Sequence, residues 1–409
     1  MERKYQKMAK KALDDMYNRF WTEDDGGHIL PVHCGIIVEK PLMIWEVTML
    51  LIAMENYYDA TGDEETKRRI LGTGEYLKKV FTYEQLTANF GDCPNLALDD
   101  AGLDIMAYLM FFRLSGDRAW GEMVKTTLLG AYDHYNDGPL ENGLWYCDWK
   151  QYNDHWKSSY IISLLISAWE FCRMTEGTDL YSQELFDKTM ILYEWTEKYF
   201  RRDRAYTVPQ GCADGSDLVV DVIDYLYWVD YNQDRENRPE RNGPSGGCNP
   251  NNIHELGSVC GIFVAMGMAA LNIKLYKERG DKRYLEKALE TSHAVATINN
   301  INGAYMNDRD THTNSTMVRY FVHEFLASDL ASDEDRNILF RTADNIYQSG
   351  LNNNGIYYPW WSKICTPDNV SSPRLGYIAP NLMINATSVT MICGAALLES
   401  LGYGPTYEQ

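Results

Sequence analysis

Basic residues are scarce in this chain of 409 residues: 38 Lys and Arg stand against 58 Asp and Glu, a formal net charge of -20. That balance repels phosphate backbones and anionic lipid headgroups, so neither nucleic acid nor a membrane surface is an expected partner. Metal-ligand spacing is missing too. Nine cysteines are scattered from Cys34 to Cys393 without a C-x-x-C pair, and no His-x-x-x-His occurs. The thiols read as small buried hydrophobes in a reducing compartment, and no metal or cofactor is expected. The opening "MERKYQKMAKKALDDMYNRFW" carries charges throughout and has no apolar core of the kind a secretory leader needs, which predicts a cytoplasmic location. Long apolar runs are equally rare. The longest uncharged one, "PNLMINATSVTMICGAALL" from Pro380 to Leu398, contains Asn381, Asn385, Thr387, Ser388 and Thr390 and reads as a buried core helix, not a membrane span.

What is abundant is a repeated joint. It appears as "YYDATGDEETKRRI", "FFRLSGDRAWGEMV", "FCRMTEGTDLYSQELF", "LYKERGDKRYLEKAL" and, more degenerate, "FLASDLASDEDRNIL". In the clear cases a glycine can end one helix in the left-handed conformation, and an Asp or Thr follows as the cap of the next. Gly62, Gly116, Gly177 and Gly280 lie 54, 61 and 103 residues apart, so the last interval holds one repeat plus an insertion. The insertion is the Gly-, Pro-, Asn- and Asp-rich segment of about 201–250, which reads as a long loop.

The helices before each joint are apolar almost all round, as in "MIWEVTMLLIAM", "LDIMAYLMFF" and "YIISLLISAW". Those after it carry one apolar stripe. Helices of the first kind have to be buried and helices of the second kind have to face water on one side, so an inner ring wrapped by an outer ring satisfies both. The N-terminal stripe Tyr5, Met8, Ala12, Met16 and Phe20 adds an outer helix that can close the circle against the last inner one. The expected fold is all-α, an (α/α)6 barrel or six-hairpin toroid formed by 1–409 as one domain, with no strand-forming run longer than a hairpin.

In such a toroid the inner helices point the same way, and their unsatisfied N-terminal N–H groups gather at one mouth. Asp99 and Asp100, in "LALDDAGLDIMAYLMFF", stand side by side at the head of the second inner helix. One reading makes Asp99 an N-cap and Asp100 a first-turn acid. The other is chemical: glycoside hydrolysis needs one carboxylate kept ionised and one kept protonated, and two adjacent Asp in unlike surroundings supply both. Asp104 lies one turn below Asp100, either as a partner within the site or as a buried polar residue satisfied by its neighbours. Aromatic residues cluster in segments assigned to the rim: Trp145, Trp149 and Trp156 in "ENGLWYCDWKQYNDHW", and Tyr357, Tyr358, Trp360 and Trp361 in "NNNGIYYPWW". Aromatic faces beside Asn and Asp suit sugar rings and predict a carbohydrate cleft.

The order "LALDDAGLDIMAYLMFFRLSGDRAW", "GLWYCDW", "WKSSYIISLLISAWEFCRMTEGTDLY", "LYEWTEKYF" and "ELGSVCGIFVAMGMAALNIKLYKERGDKRYLEKA" resembles glycoside hydrolase family 76, the endo-α-1,6-mannanases and relatives. The resemblance runs from about Trp45 to Leu401 in helix order and is specific only around the Asp–Asp pair. It implies an (α/α)6 barrel and a retaining reaction on α-mannosides such as α-1,6-linked mannooligosaccharides, with Asp99 as nucleophile and Asp100 as acid/base. With the rim aromatics and the positions near the pair and the fourth inner helix, the substrate-binding residues expected are Trp149, Trp156, Asp104, His254, Glu255, Tyr358, Trp360 and Trp361. The chain departs from the family pattern twice. Leu96, Ala97 and Leu98 stand where members commonly show an aromatic residue, and "NIHELGSVCG" stands where they show an Asn-Gln-Gly type motif. Three rival readings share the toroid. A sugar 2-epimerase or isomerase would use His254 or His323 as a base, an unsaturated uronyl hydrolase would hold its uronate with Arg319, and a glycan-binding protein would carry a dead pair.

Overall fold

The computed structural model describes residues 3–33, 36–39, 43–87, 97–136, 138–145, 156–201, 204–211, 217–224, 230–232, 262–298, 300–305, 307, 314–366 and 381–407. Helices dominate. The outer set is α1 (Lys4–Phe20), α3 (Glu64–Val80), α6 (Arg118–His134), α8 (Gln183–Phe200), α10 (Lys282–Ile298) and α12 (Asp333–Asn352). The inner set is α2 (Trp45–Thr61), α5 (Leu98–Ser115), α7 (Ile162–Thr175), α9 (Ile262–Arg279), α11 (Val318–Phe321, continued by a π turn at Val322–Leu326) and α13 (Leu382–Ser400). A short α4 (Tyr83–Thr87) follows α3. Inner and outer helices alternate along the chain, and α13 packs on both α2 and α1, which closes the ring as the sequence pattern expects.

Burial follows the two sequence patterns. Every residue of α13 from Leu382 to Leu398 is buried, whereas α1 buries only Tyr5, Met8, Ala9, Ala12, Leu13, Met16 and Phe20. By length and composition α13 could cross a membrane, yet 94% of its apolar window is buried inside the molecule. The joints work as their residues dictate. Gly62 and Gly116 close α2 and α5 at φ +67° and +68°, a region costly for any residue with a Cβ. Asp63 and Asp117 then accept the backbone N–H groups of Thr66 and Ala119 to start α3 and α6. At the third joint the cap is Ser182, not the Thr that follows Gly177, and at the degenerate one Ser332 pairs with Asp335 in a full capping box.

Part of the segment expected as a long loop is a β-hairpin. Arg204–Gly211 pairs antiparallel with Asp217–Asp224, Val208 facing Val220, and Trp156–Ser158 pairs with Asp230–Asn232. The aliphatic, largely β-branched run "DLVVDVID" favours extended backbone, a local preference that the Gly and Pro content further along obscured. The "NGPSGGCNPNN" stretch of that insertion lies outside the described residues.

A cluster of charges ties the inner ring together near the C-terminal ends of α2, α5 and α7. Arg319 of α11 donates from Nε to Asp59 Oδ2 at 2.6 Å, and Arg113 of α5 donates to Glu55 Oε1 at 2.6 Å and Asp59 Oδ1 at 3.2 Å. Glu170 of α7 stands 3.8 Å from Arg319 Nη1, and His323 Nε2 stands 3.8 Å from Asp59 Oδ2. Lys274 of α9 reaches Glu324 at 2.8 Å. Burial pushes the Asp59 carboxyl up, but His323, Arg319 and Arg113 outweigh it and hold it well below the usual carboxylate range.

Arg319→Gln should therefore cost about 3–5 kcal/mol in a denaturant melt, because it leaves buried carboxylates uncompensated. The depressed Asp59 carboxyl adds stability that is present above its unfolded pKa of about 3.9 and is lost as pH falls below that value. A melt series from pH 6 to pH 2 should show the loss, and Asp59→Asn should flatten that part of the curve at a lower overall stability.

Candidate active site at the mouth of the barrel

Helix α5 begins at Leu98, with Ala97 as its extended N-cap at φ -91°, ψ 160°. The capping reading of Asp99 is thus corrected: the helix starts one residue before it, and Asp99 and Asp100 are its second and third residues. Alanine has no side-chain acceptor, so only half of a capping box forms, the Ala97 N–H donating to Asp100 Oδ2 at 3.4 Å. Successive helical residues diverge by about 100°, so the two carboxylates leave one turn in different directions. Both residues keep some solvent exposure, although the protein packs densely around the Asp100 carboxyl, and Asp104, one turn further in, is buried.

The electrostatics separate the carboxyls from ordinary surface acids. Asp100 is pushed well above the usual range by burial first, then by the negative charges of Asp99 and Asp104, with Glu46 adding a smaller push and the Ala97 N–H opposing them. Burial also drives Asp104 well up, although its carboxyl accepts the backbone N–H of Trp45, the first residue of α2. Asp104 Oδ1 has no hydrogen-bond partner among the described residues. The head of α5 thus holds a carboxyl whose proton is favoured by burial and like charge beside a second acid.

Sequence reasoning missed Glu46. It lies in the first turn of α2, 1% exposed, with Oε1 3.7 Å from His33 Nδ1. The signal was present: Glu46 is a lone charge within the apolar run "MIWEVTMLLIAM".

The rim aromatics divide. Tyr358 and Trp360 are partly exposed, with ring centroids 6.0 Å apart. Trp361, expected beside them as a sugar contact, is 0% exposed, and its indole N–H donates to Ser388 Oγ at 3.1 Å. Ser388 Oγ in turn donates to the Tyr358 carbonyl at 2.8 Å. Tyr357 is buried as well, donating through its hydroxyl to Asp15 Oδ2 at 2.9 Å. Ser388 of α13 anchors the Trp361 ring and Asp15 of α1 the Tyr357 ring, so this part of the segment folds inward instead of standing at the rim. Trp149, His254 and Glu255 lie outside the described residues, and Trp156 is placed by its backbone pairing with Asn232. Of the rivals' residues, His323 and Arg319 belong to the ion cluster with Asp59, near the end of the inner ring opposite Asp99 and Asp100. No metal-holding group of three or more His, Cys, Asp or Glu occurs among the described residues.

Asp104→Asn tests the electrostatics. A carboxyl whose folded pKa is raised makes the native state the better proton binder, so stability is full below the unfolded pKa of about 3.9 and falls as pH rises above it. The Asn variant escapes that penalty and should be more stable than the parent at pH 8, with the gain vanishing near pH 4 in paired melts. Trp361→Ala should lose about 3–5 kcal/mol of stability as a large core truncation, which separates it from Trp360→Ala, expected to melt close to the parent.

No family model and no curated protein sequence matches the chain. Solved structures do. The GH76A α-1,6-mannanase from Salegentibacter sp. HEL1_6 superposes with a TM-score of 0.60 at 15% identity, over 97% of this chain and 100% of that one. An inactive variant of that mannanase, with two consecutive aspartates replaced by alanine, is in complex with α-1,6-mannotetrose. A family 76 α-mannanase from Bacteroides thetaiotaomicron gives 0.61 at 13% identity, covering 97% and 96%. An unsaturated glucuronyl hydrolase specific for heparin gives 0.57 at 11% identity, covering 97% of each chain. At such identities the likeness establishes the fold: the chain is an (α/α)6 barrel, built as these α-mannanases and this uronyl hydrolase are built.

Proposed function

We propose that the protein is a retaining glycoside hydrolase acting on α-mannosides such as α-1,6-linked mannooligosaccharides, with Asp99 as nucleophile and Asp100 as acid/base. The observation that carries this reading is the pair itself: two consecutive aspartates in the first turn of an inner helix, one of them pushed up from the usual carboxylate range by burial and by its neighbour's charge. The structural neighbour inactivated by replacing two consecutive aspartates adds support, as does the mannotetrose in its complex. The Asp100 carboxylic acid gives its proton to the glycosidic oxygen as Asp99 attacks the anomeric carbon, which breaks the C–O bond and forms a glycosyl ester. The Asp100 carboxylate then takes a proton from water, which attacks the same carbon and releases Asp99. Two displacements return the α configuration. The helix N-terminus stabilises the ionised nucleophile. Tyr358 and Trp360 offer ring faces to the sugars. In the cytoplasmic location expected from the sequence, short imported oligosaccharides are the natural substrates.

The acid/base role predicts a specific pattern. Asp99→Asn and Asp100→Asn should each reduce turnover of α-1,6-mannotetraose by roughly a thousandfold or more while the fold survives. Azide should restore part of the Asp100→Asn activity towards an aryl α-mannoside, because a small anion replaces the base in the second step. Proton NMR of the parent reaction should show the α anomer released first. Full activity in both variants, or first release of the β anomer, contradicts the assignment.

A further inference from the structure

Glycine weakens a helix interior, yet Gly102 stands in the second turn of α5 with no turn and no positive φ to require it. What it allows is a close approach of α7. A Cβ at Gly102 would collide with Ser163 Oγ and stand 2.9 Å from Ser163 Cβ and 3.1 Å from Leu164 N. The last two atoms are fixed by the backbone of α7, so no side-chain rotation relieves the contact. Ser163 is held in place as well, 2% exposed with its hydroxyl donating to the Tyr160 carbonyl at 3.2 Å. Gly267 and Gly394 also lie on inner helices, but the nearest atoms a Cβ would meet there belong to the side chains of Ile162 and Met317 and of Val318. We infer that Gly102 is a positioning residue of the site, which acts through Asp99 by letting the head of α7 seat against the part of α5 that carries the nucleophile. The inference rests on the role proposed for Asp99.

Helical spacing sets which acid the contact serves. Asp99 and Gly102 are three residues apart and share one side of α5, whereas Asp100 and Asp104 are four apart and share another. Gly102 lies against α7, and Asp104 accepts the Trp45 backbone N–H at the start of α2. Each aspartate of the pair therefore stands one turn above a contact with a different neighbouring helix, Asp99 above α7 and Asp100 above α2. The 3-10 turn Ser159–Ile161 that leads into α7 packs on α5 too. The local cap of α5 is weak, because Ala97 has no side-chain acceptor and its N–H reaches Asp100 Oδ2 only at 3.4 Å. A nucleophile has to be held within a fraction of an ångström of its line of attack, and the close seam between α5 and α7 supplies that restraint from outside the helix.

The test moves the missing side chain from one helix to the other. Gly102→Ala should lower kcat on α-1,6-mannotetraose by about tenfold or more with KM changed less than about threefold, because attack depends on the exact place of Asp99 and binding does not. Azide, which restores part of the Asp100→Asn activity, should not restore this variant. Adding Ser163→Gly to Gly102→Ala reopens the seam and should bring kcat back to within about threefold of the parent. Gly394→Ala, the same change in the C-terminal half of α13, should keep the parent's kcat whatever it does to the melt. In full-length protein carrying 13C-labelled Asp side-chain carboxyls, the Asp99 resonance, assigned by its loss in Asp99→Asn, should shift in Gly102→Ala and return in the double variant. A folded Gly102→Ala with the parent's kcat, a folded double variant that stays slow, or an equal loss in Gly394→Ala overturns the inference. Should Gly102→Ala alone fail to fold, the double variant decides by its rate. If the parent hydrolyses no α-mannoside but the Asp99 resonance moves and returns, the proposed reaction fails and the positioning role stands. If α-mannosides are hydrolysed and neither kcat nor the resonance responds, the reaction stands and the role of Gly102 fails.

Discussion

Everything at the mouth depends on the burial of helices that are apolar on every side. A helix such as α13, buried from Leu382 to Leu398, has no face to show to water, so it is stable only inside a ring of striped helices. That single constraint orders the rest. It makes the inner helices parallel, brings their N-terminal ends to one mouth, and lets two adjacent acids stand where unsatisfied N–H groups favour negative charge. It also sets a cost, because any charge on an inner helix has to be answered inside the barrel. At the C-terminal ends of α2, α5 and α7 the answer is ion pairing, with Arg113 and Arg319 set among Glu55, Asp59 and Glu170. At the head of α5 the groups that shift Asp100 are burial and other acids, opposed by the Ala97 N–H, and they push its carboxyl up from the usual range.

The acids at the two ends of the inner ring sit in opposite electrostatic surroundings. Asp59 and Asp100 are both desolvated acids on inner helices. Guanidinium groups and His323 draw the first down, whereas burial and like charge drive the second up. The pair at the mouth, with Asp104 buried one turn further in, is the arrangement that the proposed proton transfer uses.

Much of the barrel was legible in the sequence because its rules are local. Gly62 and Gly116 mark helix ends by a conformation that favours glycine, and the alternation of fully apolar and striped helices specifies inner and outer rings. Elements whose signal is tertiary were read less well. Trp361 looked like a rim aromatic because its neighbours are Tyr, Pro and Asn, and only the partner Ser388, 27 residues away, shows that it turns inward. Asp99 looked like an N-cap because Ala97, the true cap, offers no side-chain acceptor. Glu46 was passed over because a single acid in an apolar run carries no spacing pattern, and its meaning depends on a helix that lies fifty residues on in the chain. The hairpin at Arg204–Gly211 and Asp217–Asp224 was hidden by the composition of the residues after it.

The central claim is that Asp99 becomes covalently bonded to sugar during turnover. A fluorinated α-mannosyl fluoride, which forms a glycosyl-enzyme quickly and releases it slowly, allows that bond to be seen by mass spectrometry of the acid-quenched, digested protein. The account predicts one fluoromannosyl adduct per chain, on Asp99, absent in Asp99→Asn. An adduct on another carboxyl, or steady turnover of α-mannosides with no adduct at any residue, would contradict it.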